Sequence, residues 1–379
     1  MTSASELETL LLTSRALLSS HQPELALATL KPHLDSYSLS VPFLQQYGET
    51  LLENSELEEA YDVLAQACEY DPQAAVGVEK FLYLGQIIGG RDGLNFLNVG
   101  LNKLLLDLET NSVNDALAEK KSLIKKLNQG IFAEIEIWMT DLCMEEEAEQ
   151  QCNDLINKSL EFDNENPEAW STLASIRISQ QRNDDAITAV NSAWELFLQK
   201  KTLLESASNN LTGGEEEEEA SAEYFELIQL LLTLAKYAIE LEMFEISLQI
   251  VANVQDINEK CLESYYLEGF VNYLIAKRIQ NNIQSDSDVK IGEIYMDLPP
   301  LDLNRENDEE SKTYIDDARL ALSSGYKLLQ IDSDEEEIDP EIKEMIQVLL
   351  KEVGGFTRKT RNENNVNEEN WEEEIEMDD

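Results

Sequence analysis

Carboxylates are the reactive groups this sequence offers in quantity: 77 of its 379 residues are Asp or Glu, against 28 Lys and Arg. Pairs of carboxylates can do general acid–base work. At this density, close pairs arise from a solvated surface alone and carry no information about catalysis. Other catalytic types are scarce. There are two histidines, His21 and His33, and no His-Glu-x-x-His, Cys-x-x-Cys or Gly-x-Ser-x-Gly motif. The four cysteines, Cys68, Cys143, Cys152 and Cys261, lack the close pairing of a zinc site or disulfide scaffold, which suits a reducing compartment. Cys143 and Cys152 are expected to face each other across one helical hairpin as buried small thiols. Gly89-Gly90-Arg91-Asp92-Gly93 has the glycines of a phosphate loop, but no Lys-Ser/Thr follows and no strand precedes it, so it reads as a turn. No enzyme activity, cofactor or metal is therefore expected. What the carboxylates can do is bind cations. A net charge of -49 and a pI near 4.1 repel nucleic acid and anionic membrane and attract basic polypeptide.

The elements that must position these groups are legible in residues 41–72, where Leu44, Tyr47, Gly48, Leu51, Ala60, Leu64, Ala67 and Pro72 fall at tetratricopeptide spacing. Two short helices follow, with Gly48 and Ala60 allowing their backbones to approach. Ser55 is expected to cap the second helix, with Glu58 completing a capping box. The pattern repeats at an offset of 34: Leu10, Leu17, Ala26 and Leu30 precede Leu44, Leu51, Ala60 and Leu64. A third unit has Phe81, Leu84, Gly85 and Ile88, then Leu97, Leu101 and Leu104. Polar, lysine-bearing residues near 111–130 (Lys120, Lys121, Lys125, Lys126) form an insertion or an extended helix with a solvated face. Two further units end in Ser159 and Ala193, and a sixth spans Leu231 to Val254. The seventh starts at Tyr265 and resumes at Tyr314–Ile331. A helix from Asp339-Pro340 to Val353 is placed to cap the array. The expected fold is an all-α tetratricopeptide superhelix of about seven hairpins over 1–355. Disordered acidic loop insertions are expected at 206–222 and 281–312, and a disordered acidic tail at 356–379.

In such an array the first helix of each pair lines the concave side. Carboxylates at the inward positions are Glu49, Glu53, Glu79, Glu134, Asp141, Glu145, Glu168, Glu240 and Glu263. Interleaved with them are Leu52, Leu82, Ile137, Met144, Ile178, Tyr266, Phe270 and Tyr273. An acidic trough with apolar and aromatic patches would hold an extended Lys/Arg-rich segment, charge raising the encounter rate and pockets giving specificity. The Lys/Asn/Lys/Arg clamp with which some repeat domains grip a chaperone's terminal carboxylate is absent. Leu11 and Arg15, Gln45 and Glu49, and Leu82 and Gln86 stand at those positions.

The stretches TLLLTSRALLSSHQPELALATLKP and GETLLENSELEEAYDVLAQACEYDP, the acidic insertions and the GGFTRKTR…NWEEE ending resemble the fungal dedicated assembly chaperones of large-subunit ribosomal protein L4. The resemblance covers essentially the whole chain. It implies a helical array that captures the basic internal loop of newly made L4, keeps it soluble and brings it to the nucleus, with no catalytic residues. It further implies a monomer in a 1:1 complex, working in cytoplasm and nucleus, without direct nucleic-acid or membrane binding. The residues alone allow two other readings: a general acidic chaperone for basic nuclear proteins such as histones, or a scaffold subunit using its convex ridges. The acidic MTSASELETLLL start and the lack of an apolar run of 18 residues lead us to expect a soluble intracellular protein.

Overall fold

The computed structural model describes residues 3–20, 22–111, 117–208, 215–284, 289–305, 308–331 and 339–357. His21 and the tail beyond Thr357 lie outside them. Among the described residues every regular element is a helix, as expected for an all-α repeat protein. The chain divides into two compact units, Met1–Phe197 and Leu198–Asp379, where the sequence suggested one solenoid over 1–355.

The first unit pairs α1 (Ser3–Ser19) with α2 (Pro23–Leu30), followed by a 3-10 turn and the short α3 (Leu34–Tyr37). Next come α4 (Val41–Glu53) with α5 (Leu57–Tyr70), α6 (Glu79–Ile88) with α7 (Gly90–Asn111), and α8 (Leu117–Met139) with α9 (Ala148–Phe162). Last are α10 (Pro167–Ser179) and α11 (Asn183–Ser208), within which the division falls. Prolines open α2, α4 and α10, where the missing N–H costs nothing. Asn166 caps α10 by accepting from the Glu168 amide at 3.0 Å.

The repeat positions behave as their spacing requires. Leu44, Tyr47, Leu51, Ala60 and Leu64 are wholly buried. A methyl group on Gly48 would sit 2.6 Å from Leu64, so only glycine lets α4 and α5 come this close. Each buried leucine contributes about 1.5–3 kcal/mol of hydrophobic stabilisation.

The turns hold the first corrections. Ser55 does not cap α5: the N-cap is Glu56, with no side-chain cap bond. Ser55 instead adopts φ 60°, and the Glu56 amide reaches back to the Leu51 carbonyl at 2.9 Å, closing α4. A residue committed to that left-handed closure cannot also take the extended N-cap conformation. The same closure recurs at Gln181, Glu242 and Asn282. The glycine-rich turn is also shorter than expected. Gly89 alone breaks the chain, and α7 starts at Gly90. Residues 117–130 are the extended helix of the two expected alternatives: they belong to α8, with Lys120, Lys121 and Lys125 exposed and Leu127 in the core. Cys143 is exposed in the turn after α8 while Cys152 is buried in α9, so the two thiols do not share an environment.

The second unit pairs α12 (Glu215–Glu240) with α13 (Phe244–Ile257), and α14 (Leu262–Gln280) with α16 (Glu309–Ile331). The short α15 (Ile291–Ile294) lies in the connection between α14 and α16, and α17 (Pro340–Glu352) packs on both of those helices. Asp339 caps α17 through the Glu341 amide, as its position suggested. The acidic run Glu215–Glu219, expected in a loop, is the start of α12; residues 209–214 of that proposed insertion are outside the described ones. The 281–312 insertion is not a loose loop over its described part either. Ile291 is fully buried, its amide donates to Glu242 at 2.6 Å, and Lys277 donates to the Pro299 carbonyl at 2.7 Å. Apolar anchors among the acidic residues decide this: Ile291 and Leu301 join the core of the unit. Phe356 packs on Tyr326 with ring centroids 5.9 Å apart, so the start of the expected tail is docked.

Candidate binding surfaces

In the first unit, α1, α4, α6, α8 and α10 together line a groove of 720 Å³. Each is the first helix of its pair, as expected from the repeat. Glu49, Glu79, Leu82 and Glu168 lie on its walls, as do Arg15, Gln45 and Gln86 from the positions tested for a carboxylate clamp. Gln46, Tyr83, Lys126, Gln129, Phe132, Ala133 and Glu136 complete the lining and were missed. Tyr83 was recoverable, because it stands 34 residues after Glu49. The Leu84-Gly85 anchor lies 37 after Tyr47-Gly48 and drew attention to Leu82 and Gln86 instead. Positions three apart lie on one helical face, so both rows point into the groove.

The polar side chains are wired together. Arg15 Nε donates to Gln46 Oε1 at 2.8 Å, and Gln46 Nε2 donates to Glu49 Oε2 at 3.2 Å. The Tyr83 hydroxyl donates to Glu49 Oε1 at 3.2 Å. Gln45 Nε2 and the Val78 amide donate to Glu79 Oε2 at 2.9 and 3.0 Å, while Lys126 Nζ pairs with Glu79 Oε1. Burial raises the Glu49 carboxyl above its ordinary value; the Tyr83 bond opposes the shift and the Glu79 charge adds to it. Burial acts on Glu79 too, but Lys126 and the amides outweigh it and hold that carboxyl low. The groove is therefore acidic but not uniformly so: Glu49, Glu79, Glu136 and Glu168 stand against Arg15 and Lys126.

Eight expected groove residues of this unit are elsewhere: Ile137 is buried in the core, Met144 is exposed in the turn after α8, Ile178 is half-buried near the end of α10, and five more depart as follows. Leu52 is half-buried against the core and Glu53 is exposed at the end of α4. Glu134 is turned inward at 5% exposure, its Oε1 without a hydrogen bond, and burial pushes its carboxyl up to about 7. Asp141 accepts from the Gly90 amide at 2.7 Å, and Glu145 pairs with Arg91 at 2.8 Å. Both follow the end of α8 at Met139, so they sit in a turn instead of extending its inner face.

In the second unit, Glu240, Tyr266 and Phe270 line a separate pocket of 410 Å³ with Lys236, Ile239 and Leu267. Lys290, Gly292 and Glu293, from the segment that joins α14 to α16, form its remaining wall. The Tyr266 and Phe270 rings stack with centroids 5.8 Å apart, and Tyr295 meets Phe270 edge-on at 5.4 Å. Burial pushes the Tyr266 phenol up to about 12. Glu263 is held by Lys236 at 2.5 Å instead of lining the pocket. Tyr273 is 1% exposed and donates to Glu352 at 2.6 Å, so it is a core anchor and not a groove residue. Among the described residues no group of His, Cys, Asp or Glu could hold a metal ion, and no helix is long and apolar enough to cross a membrane.

Residues 260–369 match the ACL4 C-terminal domain family, and six of the nine pocket-lining residues fall within them. The "Probable assembly chaperone of rpl4" of Schizosaccharomyces pombe is 28% identical over 312 residues, spanning 78% of this chain and 84% of that protein. The chain resembles the rpl4 assembly chaperones. A second protein of that name, from Emericella nidulans, is 25% identical over 351 residues, spanning 89% of this chain and 80% of its own. The solved structure of "Assembly Chaperone of RpL4 (Acl4) (Residues 1-338)" superposes with a TM-score of 0.56 at 23% identity. That match covers 73% of this chain and 99% of the other, and shows a shared fold.

Proposed function

We propose that this protein is a dedicated, non-enzymatic chaperone of large-subunit ribosomal protein L4. The observation that carries the proposal is the groove on the first helices, where four carboxylates stand beside Phe132 and Tyr83 in one trough. The similarity to two rpl4 assembly chaperones supports the choice of partner. The groove takes Lys and Arg side chains of the basic internal loop of L4, and the second unit's aromatic pocket takes an apolar side chain. A segment built to bind RNA is kept soluble by acidic groups competing for the same cations. On the pre-ribosome, RNA takes over through many simultaneous phosphate contacts. The chaperone acts as a monomer in a 1:1 complex, does not bind nucleic acid or membrane itself, and accompanies L4 from cytoplasm to nucleus.

The test is affinity purification of the full chain from cells at rising salt, with and without nuclease. L4 alone, recovered despite nuclease and lost as salt rises, is the expected result. Recovery of many basic proteins, histones among them, would sink the dedicated role. A fixed complex that survives reversal of the groove charges would point to a scaffold.

A further inference from the structure

Lys126 is a cation inside the surface read above as a cation receptor. It comes from α8, and its Nζ pairs with Glu79 Oε1, while Gln45 and the Val78 amide take Oε2. Glu79 is thus occupied on both oxygens before any partner arrives. The pair is not sealed in: the Lys126 side chain is 42% exposed and that of Glu79 23%. By contrast, the fully buried Lys80 of the same unit is held by Asp71 at 2.9 Å and by two backbone carbonyls. An ion pair as open as Lys126–Glu79 is worth about 0–1 kcal/mol and can be exchanged for another cation.

We infer that Lys126 is an internal competitor, a stand-in that a cation of the client must displace from Glu79. This rests on the reading of the groove as the client site. The physical consequence is an affinity cost of one ion pair, the same for every ligand that uses Glu79. A lone lysine gains at Glu79 only what the protein already had, so the exchange is neutral and binding is weak. A segment with several basic residues also reaches the carboxylates of Glu49 and Glu136 and binds through those further contacts. Lys126 then swings into solvent on its flexible four-carbon stem.

The test uses the full chain and two labelled peptides, one spanning the basic internal loop of L4 and one a trilysine, titrated by fluorescence anisotropy at low salt. Lys126→Gln is expected to tighten both peptides by up to about fivefold, the worth of one such pair. In a Glu79→Gln background the gain should vanish. Lys121→Gln, which removes the same charge from an exposed position on α8, should leave both affinities as they were. Unchanged or weaker binding by Lys126→Gln, or a gain that persists without Glu79, would overturn the inference while leaving the groove reading intact. Failure of the unaltered protein to bind the loop peptide, or indifference of that binding to Glu49→Lys, Glu136→Lys and Glu168→Lys together, would overturn both. Melting curves for each variant show whether it is folded.

Discussion

The two units each present a recess, and the two are built from different materials. The groove of the first unit is walled by successive first helices and by charged side chains bridged through Gln45 and Gln46. The pocket of the second is lined by stacked rings and closed on one side by the segment joining α14 to α16. In the first unit short connections keep the repeat regular, and the groove is lined by a row of similar positions. In the second, one long connection is folded back on the helices and becomes a wall. Regularity of the repeat builds a charged groove, and its interruption builds an aromatic pocket. Both units also bury a lysine to fasten irregular chain. Lys80 grips the loop after α5, and Lys277 grips the inserted segment and lies 3.5 Å from Glu352 of α17.

The sharpest way to break this contrast is charge reversal. Glu49→Lys, Glu136→Lys and Glu168→Lys together should weaken L4 binding about a thousandfold at low salt and flatten its salt dependence. Phe270→Ala in the pocket should cost only about tenfold and leave the salt dependence unchanged. Isothermal titration at several salt concentrations separates the two, and equal salt slopes would erase the distinction.

The buried lysines come next. Asp71→Ala leaves the Lys80 charge without its partner and should cost about 3–5 kcal/mol in denaturant unfolding. Glu352→Ala should cost less, because the Glu352 side chain is 35% exposed and Lys277 keeps the Pro299 carbonyl. Burial acts to raise the Asp71 carboxyl, but the Val76 and Ala75 amides and Lys80 prevail and hold it below its usual value. Its contribution is therefore complete above about pH 4 and is lost as pH falls through the depressed value.

Glu134 behaves in the opposite sense. Its carboxyl, raised to about 7 in the folded chain, binds a proton that the unfolded chain has already released above about pH 4.5. Stability accordingly falls as pH rises between those values and levels off above 7. Glu134→Gln should stabilise the protein by about 2 kcal/mol at pH 8, a gain that fades toward pH 4.5. A gain independent of pH would show that Glu134 is not titrating there. The smallest expected effect tests the close approach of helices. A methyl group on Gly269 would sit 2.7 Å from Leu322 Cδ2, whereas nothing lies within 4 Å of one on Gly292. Gly269→Ala should lower stability by about 1–2 kcal/mol and Gly292→Ala by less than about 0.5 kcal/mol.

The residue spacing alone determined that the chain is helical, where its hairpins fall, and that the first helices carry the inner surface. Those features depend on local periodicity and on small residues such as Gly48 and Gly85 at close contacts, which a linear pattern records. It also placed Glu49, Glu79, Leu82 and Glu168 on the groove. Tertiary structure alone decided the rest. Where α8 stops sent Asp141 and Glu145 into a turn, and a small difference in helix rotation buried Glu134 while its neighbours Ala133 and Glu136 face the groove. Whether an acidic stretch floats or packs turned on whether single side chains such as Ile291 found room in a core assembled from distant helices. That Lys126 would meet Glu79, 47 residues away, could not be read from either segment, because ion pairing between helices depends on orientation and distance that sequence spacing does not encode.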